Sequence, residues 1–174
     1  MHGIVQFTDT TSVMCIKLIL AMLLGGLIGT ERSALAGQPA GTRTFSLVSM
    51  GAALFVIVSN YVDLAYVGVE SFDPMHIAAG IVTGVGFIGG GIIVTRGGTT
   101  HGITTAAGLW IAAAVGVAVG FGLYAIATFA SILALIVFTG MWYIEDRFKH
   151  TLAPHMHTHM KDTPAAHMHT PEEL

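Results

Sequence analysis

The sequence predicts an all-α membrane protein, a bundle of five transmembrane helices, and three observations carry that expectation. Of the 174 residues, 53% are hydrophobic and only 10% charged, against roughly a quarter charged in soluble domains. Between Arg96 and Glu145 lie 48 residues without a single Asp, Glu, Lys or Arg. As one helix that run would be about 72 Å long, more than twice the roughly 30 Å hydrocarbon core of a bilayer, so it must fold back on itself. The charges that do occur gather in a few loops and a tail, with basic residues favouring alternate loops. A soluble core is excluded on the same grounds, because too few polar side chains remain to hide so much apolar surface.

Taken in order, the apolar spans fall at 13–30, 45–62, 77–95, 103–118 and 121–144, between an outer segment at 1–12 and a tail at 145–174. The first span carries Lys17 about a turn from its start, where a long side chain snorkels outward to the headgroups. It has no basic region before it and no A-x-A site after it, so a cleaved signal is not expected. Asp73-Pro74 opens the third span as an N-cap acid followed by a proline in the first helical position. The fourth is short and rich in Gly and Ala, which suits the inside of a bundle. The segment 116–122, GVAVGFG, is the expected turn into the fifth, which Trp142 and Tyr143 close at an interface; Tyr61 and Tyr66 mark the opposite one.

Orientation follows from the basic residues. Arg32 and Arg43, Arg96, and the tail's Arg147, Lys149 and Lys161 place six of seven on one side, while the loop at 60–76 holds Asp63, Glu70 and Asp73 and no base. Such an asymmetry puts the amino terminus outside and the carboxyl tail in the cytoplasm. The lone Cys15 has no partner for a disulfide and reads as a small core or lipid-facing residue.

Small residues recur at four-residue spacing, at Gly25/Gly29, Gly80/Gly84, Gly86/Gly90 and Gly108/Ala112/Gly116/Gly120. Such stripes let helix backbones approach closely in lipid, either within one bundle or across a homodimer face. A weak parallel repeat of helical hairpins is also visible. GLIG at 26–29 returns as GFIG at 86–89, and GTRT at 41–44 as GITT at 102–105.

Chemistry concentrates in three places. Glu31, Arg32, Arg43 and Thr44 share one membrane face with Arg96, Thr104 and Thr105. Arginines at helix ends fix topology, but a carboxylate among guanidinium groups also suits an ion or phosphate site or a docking surface. Glu31 and Arg32 point about 100° apart on a helix, so Glu31 is expected to meet Arg43 or Arg96 across the bundle. Asp73 and His76 form an outer acidic site, read either as a helix cap or as a loose hard-cation site of the magnesium type. The tail, with His155, His157, His159, His167, His169, Met156 and Met160, alternates imidazole and thioether ligands suited to nickel, copper or zinc. No nucleophile-base pair, P-loop or dinucleotide fingerprint occurs, and no basic patch interleaves with aromatics. Neither an enzyme nor a nucleic-acid binder is expected.

Two blocks of sequence resemble a known family. Residues 25–55, GGLIGTERSALAGQPAGTRTFSLVSMGAALF, are similar to the amino-terminal signature of the MgtC/SapB membrane proteins. Residues 73–124 resemble their DP-x-R-I-A, G-x-G-F-x-G-x-G and G-x-T-T-A-A-x-L-W elements. The pattern is carried by Glu31, Arg32, Gly41, Arg43, Thr44, Asp73, Gly86, Gly89, Thr104, Thr105 and Trp110. His76 departs from it, standing where arginine is usual, as does Gly80 where glutamine is common. The resemblance implies a bacterial inner-membrane protein linked to magnesium limitation and, in some pathogens, to virulence. It implies a modulator of a membrane partner, such as the ATP synthase or a transporter, rather than an enzyme. The chain looks like the short form, with the His/Met tail in place of a soluble ACT-type carboxyl-terminal domain. A small dimeric transporter of ions or divalent metals, with the tail as collecting arm, is the alternative.

Overall fold

The computed structural model describes residues 11–34, 40–65 and 73–152. Five helices follow one another in the expected order: α1 (Thr11–Ala34), α2 (Thr42–Ala65), α3 (Pro74–Ile92), α4 (Ile103–Gly120) and α5 (Tyr124–Leu152). The first four are long and apolar enough to cross a membrane, and the apolar part of α5 is Tyr124–Gly140. Residues up to Thr139 form one compact unit, and those from Gly140 a second, of which the last turns of α5 are described.

The surface of the first unit is inverted relative to a water-soluble protein. Phe87 is 87% exposed, Phe55 65% and Leu47 62%, while Lys17, Glu31 and Arg32 are buried. With lipid as solvent, apolar side chains gain nothing by hiding, whereas charges must find shelter inside the bundle. The chain is a multi-pass membrane protein.

The core is drawn chiefly from α1, α2 and α4, with Ala127 of α5 also fully buried in it. α4 is the central one, half buried along its length as its Gly/Ala content suggests, and it packs against α2, α1 and α3. Glycines set the spacing. A Cβ added at Gly25 would lie 2.5 Å from Ser49 Cβ and 2.6 Å from the Phe45 carbonyl oxygen, and one at Gly29 would lie 2.8 Å from Gly41 O. On the other side of α2, a Cβ at Gly116 would collide with the Ser49 carbonyl oxygen, and one at Gly120 would lie 2.7 Å from Val56 Cβ. Backbones this close gain dispersion contact that larger residues would forfeit. Into the same seam Phe45, fully buried, inserts its ring against Gly108.

Two features differ from the sequence reading. Gly116 and Gly120 do not turn the chain: α4 runs straight through them to its end. The reversal occupies Phe121 to Leu123, with Gly122 at φ 80°. These glycines are small for the sake of α2, not for the turn. The sequence reading ran the third span to residue 95, but α3 ends at Ile92 and a β-hairpin stands between it and α4. Strands β1 (Val94–Arg96) and β2 (Thr99–His101) pair antiparallel through a two-residue Gly97-Gly98 turn. Both glycines have positive φ, 59° and 81°, as a tight hairpin turn of this hand requires.

The repeat has a structural counterpart in the two helical hairpins. Gly29 meets Phe45 where α1 crosses α2, and Gly89 meets Ala106 where α3 crosses α4, at the offsets of 60 and 61 seen in the sequence. The halves are unequal, however. α1 lies close against α4, whereas α3 touches α2 only briefly and leaves an apolar crevice of about 680 Å³. Leu47, Ala52 and Phe55 line it on one side and Gly80, Gly84 and Ile88 on the other.

Candidate functional site

The helix ends carrying the predicted polar cluster do converge. Gly29 against Gly41, Ser33 Oγ at 3.4 Å from Thr42 Oγ1, and Gly89 against Ala106 bring the end of α1, the start of α2, the end of α3 and the start of α4 to one face of the bundle. Within that face the cluster separates into an inner and an outer part. Glu31, Arg32 and Thr105 are buried, at 5%, 8% and 1% exposure. Arg43, Arg96 and Thr104 are exposed and Thr44 is intermediate.

Arg32, in the last turn of α1, reaches across to α4. Its Nη2 donates to Thr105 Oγ1 at 3.1 Å, and its guanidinium lies 5.3 Å from the centre of the Phe138 ring of α5. The flat guanidinium is thereby held by one hydroxyl and one aromatic face. Its Nε has no hydrogen-bond partner, and neither oxygen of the Glu31 carboxylate has one. The expected pairing of Glu31 with Arg43 or Arg96 is therefore not made. Both arginines are exposed while the carboxylate is buried, as is Ile28 one turn earlier.

Lys17 also departs from expectation. Instead of snorkelling to the headgroups it is 3% exposed, and its Nζ donates to the carbonyl of Gly120 at 3.4 Å. That carbonyl belongs to the C-terminal turn of α4, the negative end of the helix dipole, where a cation is favoured. α1 thus grips α4 at two points. Lys17 pairs with Gly120 and Arg32 with Thr105, fifteen residues apart on each helix, or about 22 Å along the axis. Equal spacing in opposite chain directions was available in the sequence as a clue to antiparallel helices, but nothing there named the partners.

The outer pair behaves as a cap. Asp73 is the N-cap of α3, its Oδ1 accepting from the Met75 amide at 2.9 Å, and both Asp73 and His76 are exposed. His76 lies at one end of the α2/α3 crevice. Among the described residues no group of three or more His, Cys, Asp or Glu stands together. Glu70 and the tail ligands His155, His157, His159, His167, His169, Met156 and Met160 lie outside the described residues.

The helix-packing glycines divide sharply. Gly25, Gly29, Gly116 and Gly120 are all in tight contact within the chain, but a Cβ at Gly86 or Gly90 would meet nothing within 4 Å, and the same holds at Gly80, Gly84 and Gly91. α3 is the least buried of the four long spans, at 11%. Apart from Gly89, its glycines leave room that the described residues do not fill.

Comparison with known proteins gives consistent matches. The sequence model of the MgtC family matches residues 18–147. YhiD of Escherichia coli, whose name carries magnesium transport as a conjecture, is 46% identical over 129 residues, 73% of this chain and 60% of YhiD. SrpB of Synechococcus elongatus is 39% identical over 136 residues, 71% of this chain and 72% of SrpB. MgtC of Brucella abortus is 47% identical over 117 residues, 67% of this chain and 46% of MgtC. The chain thus spans less than two thirds of the length of YhiD and under half of that of MgtC. No solved structure gives a significant match.

Proposed function

The chain belongs to the MgtC family, and from that premise we propose that it is a non-enzymatic protein of the bacterial inner membrane. In this reading it serves magnesium homeostasis by laying α3 against another membrane protein. The observation that carries the reading is the concentration of open glycines on α3, where a Cβ at Gly80, Gly84, Gly86, Gly90 or Gly91 would meet nothing within 4 Å, whereas Gly25, Gly29, Gly116 and Gly120 are tightly packed. In lipid, small residues permit the close backbone approach that holds two helices together, and a helix that leaves them unused is shaped for a partner. Exposed Arg43 and Arg96 at the end of the bundle tune that contact, with the amino terminus outside and the carboxyl tail in the cytoplasm. The magnesium link comes from the family and from the name of YhiD.

The test is capture of a partner from native membranes in fixed stoichiometry. Gly84→Leu, which fills the open face, is expected to abolish capture, and Arg43→Ala to weaken it. Unchanged capture by Gly84→Leu refutes docking on α3.

A dimeric transporter of ions or divalent metals is the second reading, favoured by the buried, unpartnered Glu31 carboxylate. Flux into liposomes that is abolished by Glu31→Gln or Asp73→Asn would favour it over the modulator. In either reading the His/Met tail serves as a binding arm for nickel, copper or zinc. Deleting residues 150–174 should then remove metal affinity in titration, and retained affinity refutes that role.

A further inference from the structure

The crevice between α2 and α3 is a space that the packing of the chain keeps open. It has a floor: Ala52, Val85 and Ala113 of α4 are buried together, with Val48, Ile81 and Val117 packed against them. Both walls carry glycine. A Cβ added at Gly51 of α2, or at Gly80 or Gly84 of α3, would meet nothing within 4 Å. Leu47 and Phe55, which also line the crevice, are exposed, so it opens toward the lipid.

Chemistry and length together name what fits there. Among the described residues lining the crevice His76 alone is polar, and it stands at one end, in the first turn of α3. Water needs two to four polar partners to stay in such a place and finds too few. Left empty, the walls would forfeit their dispersion contacts along the whole crevice of about 680 Å³. The fluid that a bilayer offers instead is hydrocarbon. From His76 to Ile88 the crevice runs about 18 Å along α3. That is close to the hydrocarbon depth of one leaflet, about 15 Å, and well short of the roughly 30 Å that a spanning partner helix covers. His76 lies at the end of α3 that Asp73 caps, the end from which the helix enters the membrane. A lipid tail entering there runs down the apolar walls toward Ile88 and leaves its polar end beside the imidazole.

We infer that the crevice is a binding site for one acyl chain of a membrane phospholipid, seated between α2 and α3 with its headgroup at the His76 end. The chain supplies the contacts that Gly51, Gly80 and Gly84 leave unmade, and no bond forms or breaks. The second acyl chain of the same lipid stays in the bilayer. The site does not rest on the docking of a partner to α3, because the isolated chain already contains it; a partner that reaches Gly84 would displace the lipid.

The experiment is native mass spectrometry of the full chain, extracted from membranes in a mild neutral detergent and purified without a partner. The wild type is expected to carry one phospholipid per chain that survives washing in detergent. Gly84→Leu blocks the crevice partway along and is expected to lower that occupancy roughly tenfold, the ratio that about 1.4 kcal/mol gives. Gly86→Leu is the control. A Cβ at Gly86 also meets nothing within 4 Å, but Gly86 does not line the crevice and lies about 160° round the helix from Gly84. Its lipid should stay. A wild type without bound phospholipid overturns the proposal, as does a free fatty acid, a detergent molecule or a second copy of the chain in its place. Equal occupancy in Gly84→Leu overturns it too, as does equal loss in Gly86→Leu. Should Gly84→Leu fail to purify folded, Gly51→Leu on the opposite wall replaces it under the same outcomes. Lipid is read on the isolated chain and partner capture in native membranes, so either proposal can fail while the other stands.

Discussion

Replacing Gly116 by alanine tests how far the packing of this protein depends on backbone contact. The new Cβ would collide with the Ser49 carbonyl oxygen, sit 2.8 Å from the Ser49 carbonyl carbon and lie 3.0 Å from Ala52 Cβ. Comfortable separations are about 3.5–4.0 Å, so α2 and α4 must part by roughly 1 Å. The obstacle is backbone, which cannot swing aside as a side chain would. The shift propagates along the seam to Gly120 against Val56 and Gly108 against Phe45. Overpacking of this kind costs about 1–3 kcal/mol. Gly84→Ala is the matched control, since its Cβ would meet nothing within 4 Å. It should be neutral or stabilising by up to about 1 kcal/mol through helix propensity. Because the propensity gain is common to both helical positions, the two variants should differ by the overpacking cost of about 1–3 kcal/mol, roughly fivefold to a hundredfold in the folding equilibrium. Unfolding of the isolated chain in mixed micelles by a denaturing detergent, followed by tryptophan fluorescence, measures this directly, because Trp110 lies on α4. Equal stability of the two variants would show that the close approach of α2 and α4 is not what holds the bundle together.

Other consequences can be checked in the same preparation. Thr105→Val removes the acceptor of Arg32 and should destabilise by about 1–3 kcal/mol; combined with Phe138→Leu it should cost less than the sum, since both substitutions act on one guanidinium, and strict additivity would contradict that. Asp73→Ala removes the cap of α3 and should cost about 0.5–2 kcal/mol, seen as faster hydrogen exchange at the Met75 amide, whereas unchanged exchange there would show the cap to be idle. Single cysteines at Val5 and Ala165, in a Cys15→Ser background, should be labelled from outside and from the cytoplasm respectively; labelling of both from one side would refute the five-span topology.

How much of this was legible in the sequence depends on the distance over which each feature is determined. The five helices were, because the absence of charge along a 48-residue run is a local property that lipid alone explains. The N-cap at Asp73 was, because a cap involves the next two residues. The stripes of small residues were visible, but which of them pack inside and which stay open was not. Gly84 and Gly116 look alike in sequence, and only the path of α2 distinguishes them. The Arg32–Thr105 and Lys17–Gly120 contacts join residues 73 and 103 positions apart, so single-residue reading assigned Lys17 to the headgroups. The hairpin was missed because its six strand residues are too few to show an alternating pattern, although Gly97-Gly98 was a turn signal in plain view. Glu31 was singled out as a carboxylate among arginines at the helix ends, but its expected pairing is not made because both candidate arginines are exposed while the carboxylate is buried.

The most direct measurement of the central claim is photo-crosslinking from α3 in native membranes, with a reactive residue placed in turn at positions 79 to 84. One membrane partner should be captured with helical periodicity, strongest at the face of Gly80 and Gly84, and the product should vanish when Gly84→Leu is added while the chain still purifies folded. Crosslinks to lipid alone, or a product indifferent both to position and to Gly84→Leu, would contradict the claim.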